Sequence, residues 1–446
     1  MDLEAARRKV VESTYVTWRR QGGWEPLLIT RAEGSTFWDS QGRGYLDFAS
    51  QLMASNLGHG NKAVQNAIVA QAQSLPFVAP GFATEVRAQL SAALDQVMPA
   101  GLRRYFFSTS GTEANEAALK IARLVTGRSK VLARPHSYHG ATAASISVTG
   151  DFRRKEIEPH QRVSGTVFAP DCYCYRCPFG LTYPSCHVEC AEYVDEQIET
   201  EGDVAAMIVE PIVGTNGVLV PVPEYLPRIR AITQKHHVLL IADEVMSGWG
   251  RTGAWFGVDH YQVVPDILTT AKGVTGAYAP LGITATTSEI HDAFRDRYFP
   301  HGHTYEAHPL TLAPGVAAIE EYRRLGLIER SRREGEYMLG RLQDIASRHP
   351  SVGDVRGLGL FAAVELVRDR ATKASFNTDA DKIAGRLLVT EEVTRAMMKE
   401  GVYAFAWVQH LILAPPLIIT REELDRGLEV LDRALQVADE KVEAAR

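Results

Sequence analysis

Three acidic or basic side chains stand where short apolar runs end. Lys272 closes the β-branched run of "DILTTAKG" and is followed by glycine and then by the turn formers of "VTGAYAPLG". A lysine on a solvated face needs no such setting. One held at the mouth of a strand, with glycine on its far side, is presented to a ligand. Asp243 ends the run "VLLIAD", and Glu210 ends "AAMIVE". Short apolar runs of this kind read as buried strands, and ligands in parallel α/β sheets gather outside the carboxyl ends of the strands. A fourth feature is "STSGTEANEAALKIARLVTG", where Ser110, Gly111 and Thr112 open a stretch of helix-forming residues and Gly127 offers a stop. Free backbone N–H groups and the dipole at such a start favour an anion. An ordinary N-cap explains a serine or threonine there about as well.

Taken together, an amine, a carboxylate and an anion cradle at one sheet edge suit a phosphorylated cofactor with a basic ring nitrogen and an aldehyde. Pyridoxal 5′-phosphate is that molecule. An ε-amine must be neutral to attack an aldehyde, so a partly desolvated site that lowers its pKa helps.

The elements that must position these residues are an alternation of strands and helices. Strands beginning near Val131, Ala205, Val238 and Asp266, each followed by turn chemistry or a helical pattern, argue an α/β fold with a mostly parallel sheet. The C-terminal third differs in texture: Ser331 to His349 and Arg421 to Glu443 read as amphipathic helices, with "GDVRGLGLFAAVEL" a turn into a strand between them. This predicts a large cofactor-binding domain over 56–309, a smaller α+β domain over 310–446, and an N-terminal segment, 1–55, that joins the smaller one.

Composition sets outer bounds. The chain has 446 residues, 45% hydrophobic and 23% charged, ordinary for a soluble globular protein. A formal net charge of −6 gives no electrostatic reason to expect nucleic acid. The start, "MDLEAARRKVVESTYVTWRR", lacks the apolar run of a signal peptide, and "LILAPPLII" is too short to span a bilayer. A cytoplasmic enzyme without membrane contact is the expectation. All five cysteines lie between Cys172 and Cys190, as a CxxC and a CxxxC plus Cys172. Four thiolates on one loop could hold a structural zinc, but the turn is short and a fifth cysteine is left over. Reduced thiols on an inserted loop, with no metal, are the preferred reading.

Eight ordered segments carry a family resemblance: "FSTSGTEANEAALKIAR", "HSYHGAT", "VEPIVGTNGV", "LLIADEVMSGWGRTG", "PDILTTAKG", "HGHTYEAHPL", "VRGLGLFAAVEL" and "LAPPLIIT". Running from about residue 35 to residue 430, the chain resembles the class III, pyridoxal-phosphate-dependent aminotransferases. The resemblance implies the type I fold of pyridoxal-phosphate enzymes, with Lys272 as the Schiff-base lysine and proton carrier. Asp243 would face the pyridine nitrogen, with Val245 packed under the ring and Tyr138 stacked on its other face. Ser110, Gly111 and Thr112 would bind the phosphate, and Glu210 and His139 would support the ring. Thr304 would be a phosphate contact donated by a second subunit, which implies a homodimer.

The implied reaction moves an amino group from an amine or ω-amino acid donor to a 2-oxo acid acceptor, pyruvate first. Many relatives grip a carboxylate with an arginine shortly before "APPL", yet here the two places hold Phe405 and Ile412, and no arginine stands between Arg395 and Arg421. A buried carboxylate without a paired cation is costly. Arg356, Gln409, His410 or backbone donors remain as candidates for it, while Met53, Phe405 and Trp407 could line an apolar pocket. The cysteine loop resembles an insertion of taurine–pyruvate and broader ω-amino acid enzymes. An amine or ω-amino acid–pyruvate aminotransferase is therefore expected first. A taurine– or β-alanine–pyruvate enzyme comes second, ahead of an aminomutase or a decarboxylating transaminase.

Overall fold

The computed structural model describes residues 2–443; residue 1 and residues 444–446, the outer ends of two of the expected segments, lie outside them. Its centre is a seven-stranded sheet in the order Leu102–Ser108, Gly282–Thr287, Ile267–Thr270, Leu239–Asp243, Val204–Val209, Lys130–Ala133, Thr166–Phe168. One strand, Gly282–Thr287, runs antiparallel to both of its neighbours, and the remaining pairings are parallel. Alternation along the strands covers both faces. Leu132, Met207 and Leu240 enter one apolar cluster, while Val131, Ala206, Ile208 and Ile241 enter another, which includes Ala118 and Ile121 of the helix Gly111–Thr126. Strands buried on both sides read as continuous apolar runs, and that made them legible.

The helix Gly111–Thr126 begins where expected. Ser110 caps it by accepting from the Glu113 N–H, and Gly127, at φ +68°, ends it in the left-handed conformation.

Two smaller sheets complete the molecule. Ile29–Glu33, Thr36–Asp39 and Gly44–Asp47 form antiparallel pairs, and Val402–Tyr403 from the far end of the chain joins them in parallel beside Gly44–Asp47. Val352–Gly357, Ala362–Asp369, His410–Leu413 and Phe405–Trp407 make the second, with Ala374–Ser375 on its edge. The helix Pro309–Arg324, which straddles the division expected between 309 and 310, packs against Lys62–Ser74 and Glu85–Leu94. The expected closing helix is two: Arg421–Ala434 and Gln436–Glu443, parted at Leu435. Its partner began earlier than expected, spanning Leu327–Arg348.

Arg251 clips these parts together. Fully buried, it donates to the carbonyls of Leu360 and Pro415, to Ser50 Oγ and to Asn56 Oδ1 at 2.6–2.9 Å. Among the described residues no helix is long and apolar enough to cross a membrane.

Candidate active site

Lys272 follows the strand Ile267–Thr270 and takes a left-handed conformation, φ +46°. Such a backbone costs an ordinary residue of order 1–3 kcal/mol and persists only where its surroundings dictate it. They do so on both sides. A Cβ on Gly273 would stand 2.6 Å from Trp249 Cβ and 2.7 Å from Asn56 Nδ2, so glycine alone fits. The buried Trp249 donates through Nε1 to Thr270 Oγ1 at 2.7 Å, and Tyr322 donates its hydroxyl to the Gly273 carbonyl at 2.7 Å. Burial drives the Lys272 ammonium down to about 8, against the pull of the Asp243 and Glu210 carboxylates and with the push of Arg153 and Arg251. Among the described residues its Nζ has no hydrogen-bond partner.

Asp243 ends the next strand and is buried. Its Oδ2 accepts from Asn115 Nδ2 at 2.7 Å and from His139 Nδ1 at 2.8 Å, and its Oδ1 accepts from the Val245 N–H at 3.0 Å. Oδ1 keeps a lone pair for a further donor. Asn115 also accepts from Thr269 Oγ1 at 2.6 Å and donates to the His139 carbonyl at 2.7 Å, tying helix, strand and loop together. Sequence reasoning missed Asn115. Its signal was an amide inside an otherwise apolar and alanine-rich helix face, where asparagine is a poor helix former.

Glu210 accepts from the Tyr138 N–H at 2.9 Å and the Gly214 N–H at 2.8 Å, and burial raises its pKa despite those bonds and His139. Ser110, Gly111 and Thr112 are half-exposed at the helix start. A Cβ on Gly111 would fall 2.7 Å from Val245 Cγ2. The strand stops at Asp243, and Val245 meets Gly111 from a turn.

The remaining expected residues are more scattered. Thr304 is exposed and makes no hydrogen bond among the described residues. Met53 is buried in a cluster with Ile212, Met246 and Ile412, whereas Trp407 stacks on Phe152 at 5.4 Å; the half-buried Phe405 touches both groups. One side of Trp407 borders a cavity of about 560 Å³ whose wall mixes His136, Lys155, Asp379 and Gln409 with the apolar Phe168 and Val408. Arg356 is already committed, to the Gly217 carbonyl, Asp354, Glu365 and the Tyr173 hydroxyl. Gln409 Oε1 accepts from Ser375, and His410, pushed down to about 4 by burial, faces Glu365.

The five cysteines are free and line one small cavity of about 20 Å³. Among the described residues the set of three metal-ligating groups with ligand atoms within 4.8 Å of one another is Asp195, Glu199 and His236, whose two carboxylates already accept from the Lys235 ammonium.

A second cation was also missed. Arg153 lies with its guanidinium carbon 3.8 Å from the Tyr138 ring centre, 4.5 Å from that of Trp407 and 5.1 Å from that of Trp18. No spacing rule links those four positions.

A pyridine ring bearing an aldehyde and a phosphate fits this arrangement. There is an unpartnered amine of lowered pKa, a carboxylate with one lone pair to spare, and a helix start where glycine leaves the first N–H groups approachable. The comparisons agree. The family model "Aminotransferase class-III" matches residues 19–435. A leucine/methionine racemase of Thermococcus litoralis is 36% identical over 91% of this chain and 90% of its own. A taurine–pyruvate aminotransferase of Bilophila wadsworthia is 35% identical over 95% and 96%. Among solved structures, a taurine:2-oxoglutarate aminotransferase of Bifidobacterium kashiwanohense in complex with PLP and glutamate superposes with a TM-score of 0.92 at 34% identity, covering 99% of each chain. The chain belongs to the class III aminotransferases, the pyridoxal-phosphate-dependent family its motifs resemble.

Proposed function

We propose that this protein is a pyridoxal-phosphate-dependent transaminase that transfers an amino group from an amine or ω-amino acid to a 2-oxo acid, pyruvate first. The observation that carries the reading is the lowered pKa of Lys272, with its amine unpartnered, beside the braced carboxylate of Asp243 on the adjoining strand. Lys272 would hold the cofactor through its amine and Asp243 would face the ring nitrogen. Val245 and Tyr138 would flank the ring, Glu210 and His139 would support it, and Ser110, Gly111 and Thr112 would take the phosphate. When bound, pyridoxal phosphate supplies an electron sink for the pair left on the substrate carbon. The chain's own part is positional and protonic. Lys272 Nζ, its pKa lowered by burial to about 8, can take a proton from the substrate carbon and return it elsewhere, help typically worth about 10²–10⁴-fold. Asp243, fixed by Asn115, His139 and the Val245 N–H, holds its oxygen still. Thr304, exposed and without a hydrogen bond among the described residues, suits a role across a homodimer interface. The division 1–55, 56–309 and 310–446 is proposed with it, the first and last segments joined through Val402–Tyr403.

The test is a donor panel of taurine, β-alanine, 4-aminobutyrate and 1-phenylethylamine, with pyruvate and 2-oxoglutarate as acceptors. Amino acid product that depends on the 2-oxo acid is expected, and Lys272→Ala should abolish it. Conversion of L-leucine to D-leucine without any acceptor would instead mark a racemase, a reading that the 36% identity to such an enzyme keeps specific.

A further inference from the structure

We propose that Cys172 and Cys190 are a redox modification site, joined by hydrogen peroxide in a reversible disulfide that closes the loop between them. The site lies outside the cofactor pocket and stands apart from the transaminase reading.

All five cysteines of the chain fall within Cys172–Cys190 and line one cavity of about 20 Å³. That is room for about one water molecule, so a peroxide enters where a bulkier oxidant does not. Thiols gathered in this way suit either a metal or one another. A zinc at about 2.3 Å from each sulfur draws three or four of them around a single point. Among the described residues no three cysteine sulfurs lie within 4.8 Å of one another; the set that does is Asp195, Glu199 and His236. The sulfurs meet in pairs, and pairwise chemistry is what remains to them.

Cys172 is the centre of the pairing. It is 5% exposed and shares an apolar cluster with the half-buried Cys190, which stands at the start of the helix Glu189–Glu201. Its thiol rises to about 12, a hydrogen bond with Cys174 opposing the shift while one with Cys190 and burial drive it. Cys172 thus keeps its proton at neutral pH. Cys174 is exposed, yet its hydrogen bond with Cys172 and burial raise it too, which makes it a poor starting point. Oxidation begins on Cys190, which solvent reaches, and Cys172 waits beside it.

The steps balance. The Cys190 sulfur attacks one oxygen of hydrogen peroxide; the O–O bond breaks, an S–O bond forms, and water leaves with the thiol proton. The product is a sulfenic acid. The Cys172 sulfur then attacks that of Cys190; the S–S bond forms, the S–O bond breaks, and the hydroxyl departs with the Cys172 proton as a second water. Two thiols give up two electrons and the peroxide takes them. A thiol of high pKa suffices for the second step because its target is already in place. In a reducing compartment such a bond forms under peroxide and reverses with thiol. The residues on either side of Cys172 are anchored: Asp171 accepts from the His136 N–H at 3.1 Å, and Tyr173 donates to Glu365 of the strand Ala362–Asp369. The bond would therefore fix the helix Glu189–Glu201 to a segment that already joins the large sheet to a smaller one.

The test uses cofactor-loaded protein, reduced, treated with chelator, desalted and exposed to graded hydrogen peroxide at neutral pH before alkylation in denaturant. Free thiols should fall from five to three, 5 − 2. Trypsin cuts after Arg176 and parts Cys172 and Cys174 from Cys177, Cys186 and Cys190. Without reductant the two peptides should appear as one species, with fragmentation placing the bond at Cys172 and Cys190, and dithiothreitol should separate them. Cys172→Ala and Cys190→Ser should each abolish the linked species, and Cys174→Ala should leave it at the wild-type yield. In Cys172→Ala the sulfenic acid on Cys190 should persist and be captured by dimedone. Should that buried position not tolerate alanine, the half-buried Cys190→Ser still decides. A bond between Cys172 and Cys174, a linked species that survives Cys190→Ser, or thiol loss without any linked peptide would overturn the proposal.

Discussion

His139 Nδ1 lies 2.8 Å from Asp243 Oδ2, and neither side chain is more than 3% exposed. The imidazole donates to the carboxylate and fixes its rotation, with Asn115 doing the same from the helix side. If Asp243 faces the ring nitrogen, Asp243→Asn should leave the fold and the cofactor in place but cut turnover on the order of 100-fold, each 1.4 kcal/mol being a tenfold change. His139→Ala removes one of the three donors that hold Asp243 and leaves the carboxylate itself in place, so it should cost less and make the absorption of the bound cofactor more dependent on pH. Full activity in Asp243→Asn would remove that carboxylate from its assigned position.

The lowered pKa of Lys272 has a direct consequence. Its neutral form is the one that reacts with an aldehyde, and burial makes that form dominant above about 8 rather than above the ordinary lysine range. Capture of pyridoxal phosphate by cofactor-free protein, followed by borohydride trapping and mass mapping to Lys272, should rise with pH, reach half its maximum near 8 and then level off. The sign for stability follows. Between pH 8 and the ordinary lysine range the unfolded chain binds a proton that the folded one does not, so the contribution of Lys272 rises with pH across that window. A capture rate still climbing steeply above pH 9.5 would show that the amine is not desolvated.

Much of this site could be read from residue order, and the reason is physical. Lys272, Asp243 and Glu210 end strands buried on both faces, and such strands announce themselves as apolar runs. Ser110 and Gly127 bracket a helix whose caps have chemical signatures. What escaped were contacts that depend on tertiary approach. Asn115 is an unremarkable helix residue until the strand Leu239–Asp243 comes alongside it. Arg153 gains meaning only when Trp18, Tyr138 and Trp407, from three distant segments, close around it. Val245 lies beyond the reach of strand alternation, since the strand ends at Asp243 and its approach to Gly111 is made by a turn. The antiparallel strand Gly282–Thr287 also went unread. Its Gly282 has no room for a Cβ, which would lie 2.2 Å from the Ser110 carbonyl, so the small residue records a close approach that periodicity does not reveal.

The cysteine loop makes a separate prediction. Cys172 is buried, and its thiol is pushed up to about 12; the hydrogen bond with Cys174 opposes that shift, while the one with Cys190 and burial drive it. A thiol of that kind is a poor nucleophile at neutral pH. Alkylation of native protein at pH 8 should leave Cys172 unlabelled, while unfolded protein should take label at all five positions. Metal analysis after chelator treatment should give no stoichiometric zinc. One tightly held zinc per chain would reverse that preference and make the loop a structural metal centre.

The contact between Gly111 and Val245 permits the sharpest test of the helix start. An added Cβ at Gly111 would approach Val245 Cγ2 to 2.7 Å and Cγ1 to 2.9 Å, distances that real side chains do not tolerate. Valine is branched at Cβ and cannot turn away freely, so either the turn carrying Val245 or the helix start must move. Gly111→Ala should therefore cost about 1–3 kcal/mol in thermal or denaturant unfolding. It should also weaken cofactor retention, because the displaced backbone would no longer offer its N–H groups to the phosphate. Val245→Ala removes both methyl groups and should cost little at this contact. In the double variant Gly111→Ala/Val245→Ala the clash has no second party, so most of the lost stability should return. The non-additivity measures the contact itself. If the two effects instead added, the close approach would not be what fixes glycine at the mouth of this helix.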